Sequence, residues 1–493
     1  MMENYIYIPI ALSTIIAFVA VNWIYFKILK IALKKNLVDN PDARKLQKTP
    51  IPVMGGMAVF FGILAGVFAS TVVQEVAMES SVAILLPIIC AMSIMLYIGA
   101  LDDIMGLTPK ARLLIEILIV LGLVYAGGMC LDNFMGMWGL HKFSWWFAVP
   151  LTIFAGVGII NAVNMIDGVN GLSSGLCITC CAFFGIAFVK VNDIPNAVLA
   201  FTSIGALTPF FIHNVFGLKS RMFIGDAGTM VIGVLLTWFT INLLNSDSSV
   251  IYFSQATNVN AIALSLATLS VPVFDTLRVM GMRMLRKQNP FHPDKTHLHH
   301  IFVNIGISHF ITMVSEILID MVIVAVWAVT VLLGWGLEAQ LYAVIISSIL
   351  LVWGTYGILR YHAKRHTRIL HKLTAFSVRT HFGRKEWWKK ISDTLDSMGE
   401  YEVEDNDEPQ IKNSKNRFDN IDPNNVKELD RKRIIDFMKG RAEVMVQDLI
   451  DNSGADKLNV YPIIFEEVEN GYMRVTRVGD SGAPDIVALT EKN

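Results

Sequence analysis

The sequence predicts an all-α polytopic membrane protein of about eleven transmembrane helices, with a small mixed α/β cytosolic extension at its C-terminal end. Three observations carry this expectation. Of 493 residues, 54% are hydrophobic and only 17% are charged, where ordinary soluble chains carry about 25% charge. Mean hydropathy is +0.51. Apolar runs suited to a bilayer core about 30 Å thick recur as far as Leu359 and then stop. Disorder and a purely soluble enzyme are both excluded by this composition. Net charge is −1, so no overall basic field invites nucleic acid, and none is expected as a partner. Five cysteines are too few for a disulfide scaffold. Cys177, Cys180 and Cys181 have helical spacing within an apolar run and read as small packing residues.

The runs extend approximately from Tyr5 to Ile31, Val53 to Val73, Val82 to Leu101, Arg112 to Gly127, Trp145 to Ile160, Leu172 to Val189, Ala197 to Phe216, Met222 to Leu244, Val259 to Leu277, Ile311 to Gly334 and Leu337 to Leu359. The first lacks a basic start and a small-residue cleavage site, and its lysines follow the apolar stretch, so it is expected to remain as a span with its N-terminus outside. Alternate loops carry nearly all the Lys and Arg, including Lys34, Lys35, Lys110, Arg221, Arg283 and Arg286, whereas the opposite set holds only Lys142 and Lys190. By the positive-inside rule this places the rich set and the C-terminal part in the cytoplasm.

The chain therefore divides into a membrane domain at 1–359, a basic interfacial helix and acidic linker at 360–408, and a small cytosolic domain at 409–493. Within the extension, Ile369 to Met398 mixes Trp and Leu with basic residues and suits a helix at the lipid interface. Glu400 to Glu408 reads as a linker, Val426 to Leu449 as an amphipathic helix, and Val460 to Leu489 as a hairpin around Asn470-Gly471.

Four polar clusters interrupt the apolar pattern, each in the Lys/Arg-rich set of loops or at a span end touching it. Asp102 and Asp103 end the third run; adjacent carboxylates at a membrane boundary repel, and a cation or proton-transfer task offsets that cost. Asn161, Asn164, Asp167 and Asn170 follow at intervals of three, with Gly168 and Gly171 letting the backbone approach a ligand. Phe223-Ile224-Gly225-Asp226-Ala227-Gly228-Thr229 opens the eighth run, where Asp226 is either a helix cap or a carboxylate holding a cation against a diphosphate. His292, Asp294, His297, His299 and His300 form the fourth cluster. Zinc is one reading of it, but Arg278, Arg283, Arg286, Lys287 and Lys295 surround it and favour phosphate.

With these clusters in this order, the chain resembles the polyprenyl-phosphate N-acetylhexosamine-1-phosphate transferase family, and within it the bacterial undecaprenyl-phosphate N-acetylglucosamine-1-phosphate transferases. The likeness covers roughly Met1 to Leu359. An earlier family motif is matched by Arg44, Lys45, Pro50, Pro52, Gly55 and Gly56, with Gln47 in place of the usual His.

The resemblance implies attack of undecaprenyl phosphate on the β-phosphorus of UDP-N-acetylglucosamine with release of UMP, requiring Mg²⁺ with Mn²⁺ as a substitute. UDP-GalNAc, UDP-QuiNAc and UDP-FucNAc stand as alternative donors, and a transporter lined by Asp and His is the rival from another class. It implies Asn164 and Asp226 as metal ligands, Asp103 as a contributor directly or through water, and Asp102 as the group orienting or deprotonating the lipid phosphate. Asp167, Asn170 and Phe223 fall on the nucleoside side, with Asp167 counted among the catalytic carboxylates and Asn161 among the substrate contacts. Arg283, His292, Asp294, His297, His299 and His300 resemble a loop gripping sugar and diphosphate, while Lys45 and Lys110 steer phosphates. Membrane lipid and a second copy of the chain complete the expected partners, at the bacterial inner membrane with the site facing the cytoplasm.

Overall fold

The computed structural model describes residues 3–39, 51–73, 78–288 and 296–365, and beyond these 367, 372–374, 376–377, 385–399, 423–439, 441, 443–453, 455, 457–469, 472–478 and 484–490. Its helices are α1 (Glu3–Lys34), α2 (Gly55–Val73), α3 (Met78–Met105), α4 (Pro109–Gly127), α5 (Trp145–Met165), α6 (Leu172–Lys190), α7 (Ile194–Phe216), α8 (Gly225–Leu244), α9 (Ser249–Thr257), α10 (Ala261–Thr268), α11 (Ser270–Leu285), α12 (Leu298–Asn304), α13 (His309–Leu332), α14 (Leu337–Ser348) and α15 (Gly354–Arg365). Each of the eleven apolar runs falls on helix. Among the described residues, nine helices are long and apolar enough to cross a membrane, or ten if one bent pair counts as a single span. The remaining run is α4, whose leading end carries Lys110, Arg112 and Glu116. The protein is thus a multi-pass membrane protein.

Chain contacts divide it into two units: 1–300, 309–355 and 382–399 form the first, and 301–308, 356–381 and 400–493 the second. In the first, α8 is the hub. Its span is wholly buried, whereas α1, α3 and α13 leave most of their surface outward, as expected of helices facing lipid. It packs against α2, α3, α5, α6 and α10. Polar side chains inside this apolar setting are paired: Trp238 donates to Asn196 Oδ1 at 3.0 Å, and Asn196 donates to Asn242 Oδ1 at 3.2 Å. Pairing of this kind removes the cost of a lone buried polar group.

The ninth run is not the continuous helix that its hydropathy suggests. It bends by 76° between α10 and α11. A break at membrane depth exposes backbone donors that no water meets, so something must accept from them. Asp320 of α13 does so, taking the Ser270 hydroxyl at 2.8 Å and the Val271 N–H at 3.2 Å.

In the second unit, three strands pair antiparallel in the order Val444–Met445, Pro484–Leu489, Met473–Val478. They pack with helices Pro423–Met438, Val446–Asn452 and Lys457–Glu469 around Ile434, Met438, Leu449, Val460, Ile463 and Val487. Two expectations are corrected. Val426 to Leu449 is not one helix, because a strand at Val444–Met445 interrupts it. The hairpin does not begin at Val460, which lies in the helix Lys457–Glu469; its strands start at Met473. Asn470 and Gly471 lie outside the described residues, as does the acidic run 400–408.

Candidate active site

Four segments converge on the first turn of α8. Ile51–Pro52 pairs antiparallel with Val38–Asp39. The strap before α8 is then fastened to it: the Phe223 N–H donates to Pro52 O at 2.8 Å, and the N–H groups of Gly55 and Gly56 donate to Phe223 O and Ile224 O at 2.9 and 2.8 Å. Close approach is what the glycines permit. A Cβ on Gly56 would lie 2.3 Å from the Gly228 nitrogen, and one on Gly99 would lie 2.4 Å from Ala227 Cα. Small residues thus bring α2 and α3 into backbone contact with the start of α8.

The Asp103 carboxylate accepts the N–H groups of Asp226 and Ala227 at 2.9 and 3.1 Å. It therefore caps α8 from another helix, satisfying two of the donors a helix start leaves open. Gly225 has φ +72°, and a Cβ there would lie 2.6 Å from Asp103 Oδ2. From the end of α5, Asn164 donates its amide to Asp226 Oδ1 at 2.6 Å and to Thr229 Oγ1 at 2.7 Å. The second oxygen of Asp226 faces Arg112 at 3.8 Å, in a side chain still 37% exposed.

Arg112 also reaches Asp102 Oδ2 at 3.4 Å and Glu116 Oε1 at 3.1 Å. Asn161 donates to the other oxygen of Glu116, and Leu107 N–H donates to Asp102 Oδ1 at 2.6 Å. One guanidinium thus sits among three carboxylates and offsets their mutual repulsion.

A cavity of about 350 Å³ opens beside this cluster, lined among others by Asp39, Asp103, Asp167, Phe223 and Asp226. Asp167 lies between α5 and α6, and its Oδ1 accepts from the Ser173 hydroxyl at 2.7 Å. Burial pushes its carboxyl up to about 6, with the Ser173 hydrogen bond opposing and the charge of Asp226 adding to the rise.

The histidine segment is organised by a buried carboxylate. Asp275 of α11 accepts from Arg278 Nη2 at 2.6 Å and Nε at 3.1 Å, from His297 Nδ1 at 2.9 Å, and from the Leu298 N–H at 3.1 Å. His299 is buried beside Gly168, where a Cβ would lie 3.1 Å from its Nε2. Burial holds it well below the ordinary histidine value, and His300 and His297 add to that.

The structure therefore gathers Asp103, Asn164 and Asp226 in one hydrogen-bonded group and Asp102 and Asn161 in another around Arg112 and Glu116, the two joined by the Arg112–Asp226 ion contact, and puts Asp167 and Phe223 on the adjoining cavity. Asn170 lies on the same string, where its N–H donates to His309 Nδ1 at 3.4 Å. Arg283 is buried near the end of α11, and Lys110 is exposed at the start of α4. Lys45, His292 and Asp294 lie outside the described residues. Sequence reasoning passed over Arg112, Glu116 and Asp275, and gave Thr229 no role. Arg112 and Glu116 left a signal, opposite charges four residues apart at the head of an apolar run.

Among the described residues, no three His, Cys, Asp or Glu side chains form a ready metal cage. The donors around Asp226 are carboxylate, amide and hydroxyl groups, the oxygen chemistry that suits Mg²⁺, which is held by one or two carboxylates together with substrate phosphates.

Residues 85–244, which include Asp102, Asn164 and Asp226, match the model of glycosyl transferase family 4. The chain is 31% identical over 316 residues to a probable undecaprenyl-phosphate N-acetylglucosaminyl 1-phosphate transferase of Bacillus subtilis (strain 168), covering 64% of this chain and 83% of that one. It is 28% identical over 362 residues to an undecaprenyl-phosphate alpha-N-acetylglucosaminyl 1-phosphate transferase of Yersinia pestis, covering 71% and 90% of the two chains. It is 31% identical over 286 residues to the like-named protein of Escherichia coli (strain K12), covering 56% and 72%. Matching such relatives at about 30% identity over most of their length, the chain belongs to glycosyl transferase family 4, the polyprenyl-phosphate N-acetylhexosamine-1-phosphate transferases.

Proposed function

We propose that this protein transfers N-acetylglucosamine 1-phosphate from UDP-N-acetylglucosamine to undecaprenyl phosphate, releasing UMP. The reading is carried by one observation: the carboxylate of Asp226, at a helix start, shares a hydrogen-bonded cluster with Asn164 and Asp103 beside a cavity lined by Asp167 and Phe223. In the reaction an oxygen of the lipid phosphate bonds to the β-phosphorus, and the bond from that phosphorus to the UMP oxygen breaks. The nucleophile is already anionic, so bringing it to a diphosphate is chiefly a problem of charge and position.

Asp226 and Asn164 are the residues that would hold Mg²⁺. A half-turn of the Asn164 amide exchanges Nδ2 for Oδ1 beside Asp226. The ion supplies Lewis-acid stabilisation of the diphosphate and of departing UMP. Asp103, with both oxygens on α8 donors, fixes the backbone that carries Asp226. Asp102, held by Arg112 and the Leu107 N–H, orients the lipid phosphate. Phe223 offers a ring for the uracil, Asp167 and Asn170 polar contacts to the nucleoside, and His297, His299, His300 and Arg283 a grip on sugar and diphosphate, joined by Lys45, Lys110, His292 and Asp294.

We further place the site on the cytoplasmic face of the bacterial inner membrane. The loops on its side hold nearly all the positive charge, and nucleotide sugars are cytosolic. The deciding experiment gives purified protein Mg²⁺, undecaprenyl phosphate and a panel of UDP-sugars, and measures UMP. Release that depends on both lipid and UDP-N-acetylglucosamine is expected. No release with any UDP-sugar would overturn the reading, and release with only another UDP-N-acetylhexosamine would change the donor.

A further inference from the structure

The helix Glu386–Ser397 follows the last span and contributes to none of the family motifs, yet it reaches the strap that delivers Phe223 and Asp226. Its inward face carries Trp388, Ser392 and Leu395 at helical spacing, all buried. Trp388 packs on Phe216 at 4.6 Å between ring centres and meets Phe310 edge-on at 5.3 Å. This seats the helix at the end of α7. Beside that face, the Asp396 carboxylate accepts three consecutive backbone donors: Leu218 N–H at 3.3 Å, Lys219 N–H at 3.0 Å and Ser220 N–H at 2.9 Å. Those donors lie just past the end of α7, in the strap between it and α8.

The strap is held at other points too. Tyr25 donates its hydroxyl to Ser220 O at 2.8 Å, Asn214 donates to Met222 O at 2.8 Å, and Phe223 N–H donates to Pro52 O at 2.8 Å. The Asn214 oxygen in turn accepts the Gly171 N–H at 2.6 Å, joining the strap to the Asn164–Asn170 string. From Leu218 to Asp226 the chain is therefore tied at several points, and Asp396 holds its first three residues.

We infer that Asp396 is a positioning residue for the nucleotide-sugar site: its carboxylate clasps residues 218–220 and so sets where Phe223 stands. The clasp makes the helix Glu386–Ser397 part of the catalytic unit. This inference rests on the transferase reading above, because it assigns the Phe223 side of the cavity to the nucleoside. Its geometric half, the clasp itself, is independent of that reading.

The test uses the full-length protein in lipid nanodiscs, with Asp396→Ala, Asp396→Asn and, as a control on the exposed face of the same helix, Asp393→Ala. Hydrogen–deuterium exchange at 218–220 reads the clasp. Kinetics with Mg²⁺, undecaprenyl phosphate and UDP-N-acetylglucosamine read its consequence. In Asp396→Ala, exchange at 218–220 is expected to rise about tenfold or more, and KM for the UDP-sugar by about tenfold, as loss of charge-assisted hydrogen bonds implies. KM for the lipid should hold and kcat should stay within about threefold. Asp396→Asn, which keeps one acceptor oxygen, should fall between, and Asp393→Ala should match wild type.

Unchanged exchange in Asp396→Ala would overturn the clasp. Faster exchange with unchanged KM for the UDP-sugar, or a fall in kcat alone, would reduce Asp396 to a structural residue and overturn its positioning role. Should the wild type release no UMP, the transferase reading and the positioning role fall together, while exchange still decides the clasp. If Asp396→Ala does not accumulate, Asp396→Asn carries the same comparison.

Discussion

Asp103 and Asp226 are joined through the backbone: the Asp103 carboxylate takes the N–H groups of Asp226 and Ala227 at 2.9 and 3.1 Å. The second carboxylate of the Asp-Asp pair therefore caps the helix that presents the proposed metal ligand. Asp103→Ala should cost about 1 kcal/mol, as loss of a helix cap does, and should depress turnover far more than that stability loss alone. Asp103→Asn retains one acceptor and should recover stability before activity. Thermal unfolding in detergent and UMP release check the two separately; an Asp103→Ala protein with wild-type turnover would show that the cap is dispensable.

Asp226 itself is the group on which the chemistry depends. Asp226→Ala should leave the protein inserted and lower UMP release by three orders of magnitude or so, the scale of several kcal/mol of Lewis-acid stabilisation. Asn164→Ala should be milder, raising the Mg²⁺ needed for half-activation by about 10- to 100-fold, as loss of a supporting partner does. Titration with Mg²⁺ distinguishes the two. Near-normal turnover in Asp226→Ala would refute its assignment.

The glycines at this junction make a prediction of opposite sign to one elsewhere. Gly225 combines φ +72° with a Cβ position 2.7 Å from Val53 Cγ1. Gly225→Ala should therefore lose at least about 1–2 kcal/mol and most activity. Gly158, inside α5, has nothing within 4 Å of its Cβ position. There Gly158→Ala should stabilise by up to about 1 kcal/mol through helix propensity. Unfolding midpoints of the two variants test the contrast.

These positions also show what a sequence discloses. The four clusters were legible because their polar residues are neighbours in the chain and conflict with the apolar runs around them. Asp275 was not, because a lone Asp three residues before Arg278 looks like a charge at the flank of a span. Its meaning appears only when His297 and Leu298 fold back onto it. The bend before Ser270 was hidden for a related reason: hydropathy does not count backbone donors, and Asp320, which satisfies them, lies 50 residues on. The clasp by Asp396 left no local signal, since its three partners are backbone groups some 176 to 178 residues away.

Asp167 gives a pH-dependence with a definite sign. Burial raises its carboxyl from 3.8 to about 6, so the folded protein binds that proton more tightly than the unfolded chain. Its contribution is then fully present below the unfolded value and is lost as pH rises through about 6. Asp167→Asn removes this dependence. Between about pH 4 and 6, the metal-free wild type should lose stability relative to Asp167→Asn, and the difference should level off above that range. Thermal unfolding across the range checks it; parallel curves for the two proteins would contradict the shift.

Asp275 yields the last prediction, which concerns the histidine segment. Its carboxylate pairs a buried guanidinium, one imidazole and one backbone N–H. Removing it alone takes the countercharge from Arg278, a side chain 6% exposed that would keep its hydrogen bond to Thr296 O, and breaking a buried pair in this way costs about 3–5 kcal/mol. Asp275→Ala should therefore lower the unfolding midpoint strongly. Asp275→Asn keeps an acceptor and should fold, but with His297 and Leu298 less well held, KM for the UDP-sugar should rise about tenfold. Replacing both charges, as Asp275→Leu with Arg278→Met, leaves no uncompensated ion and should be less destabilising than Asp275→Ala alone. A double variant as unstable as the sum of its single changes would mean that the two side chains act independently, and that Asp275 does not hold the segment through this pair.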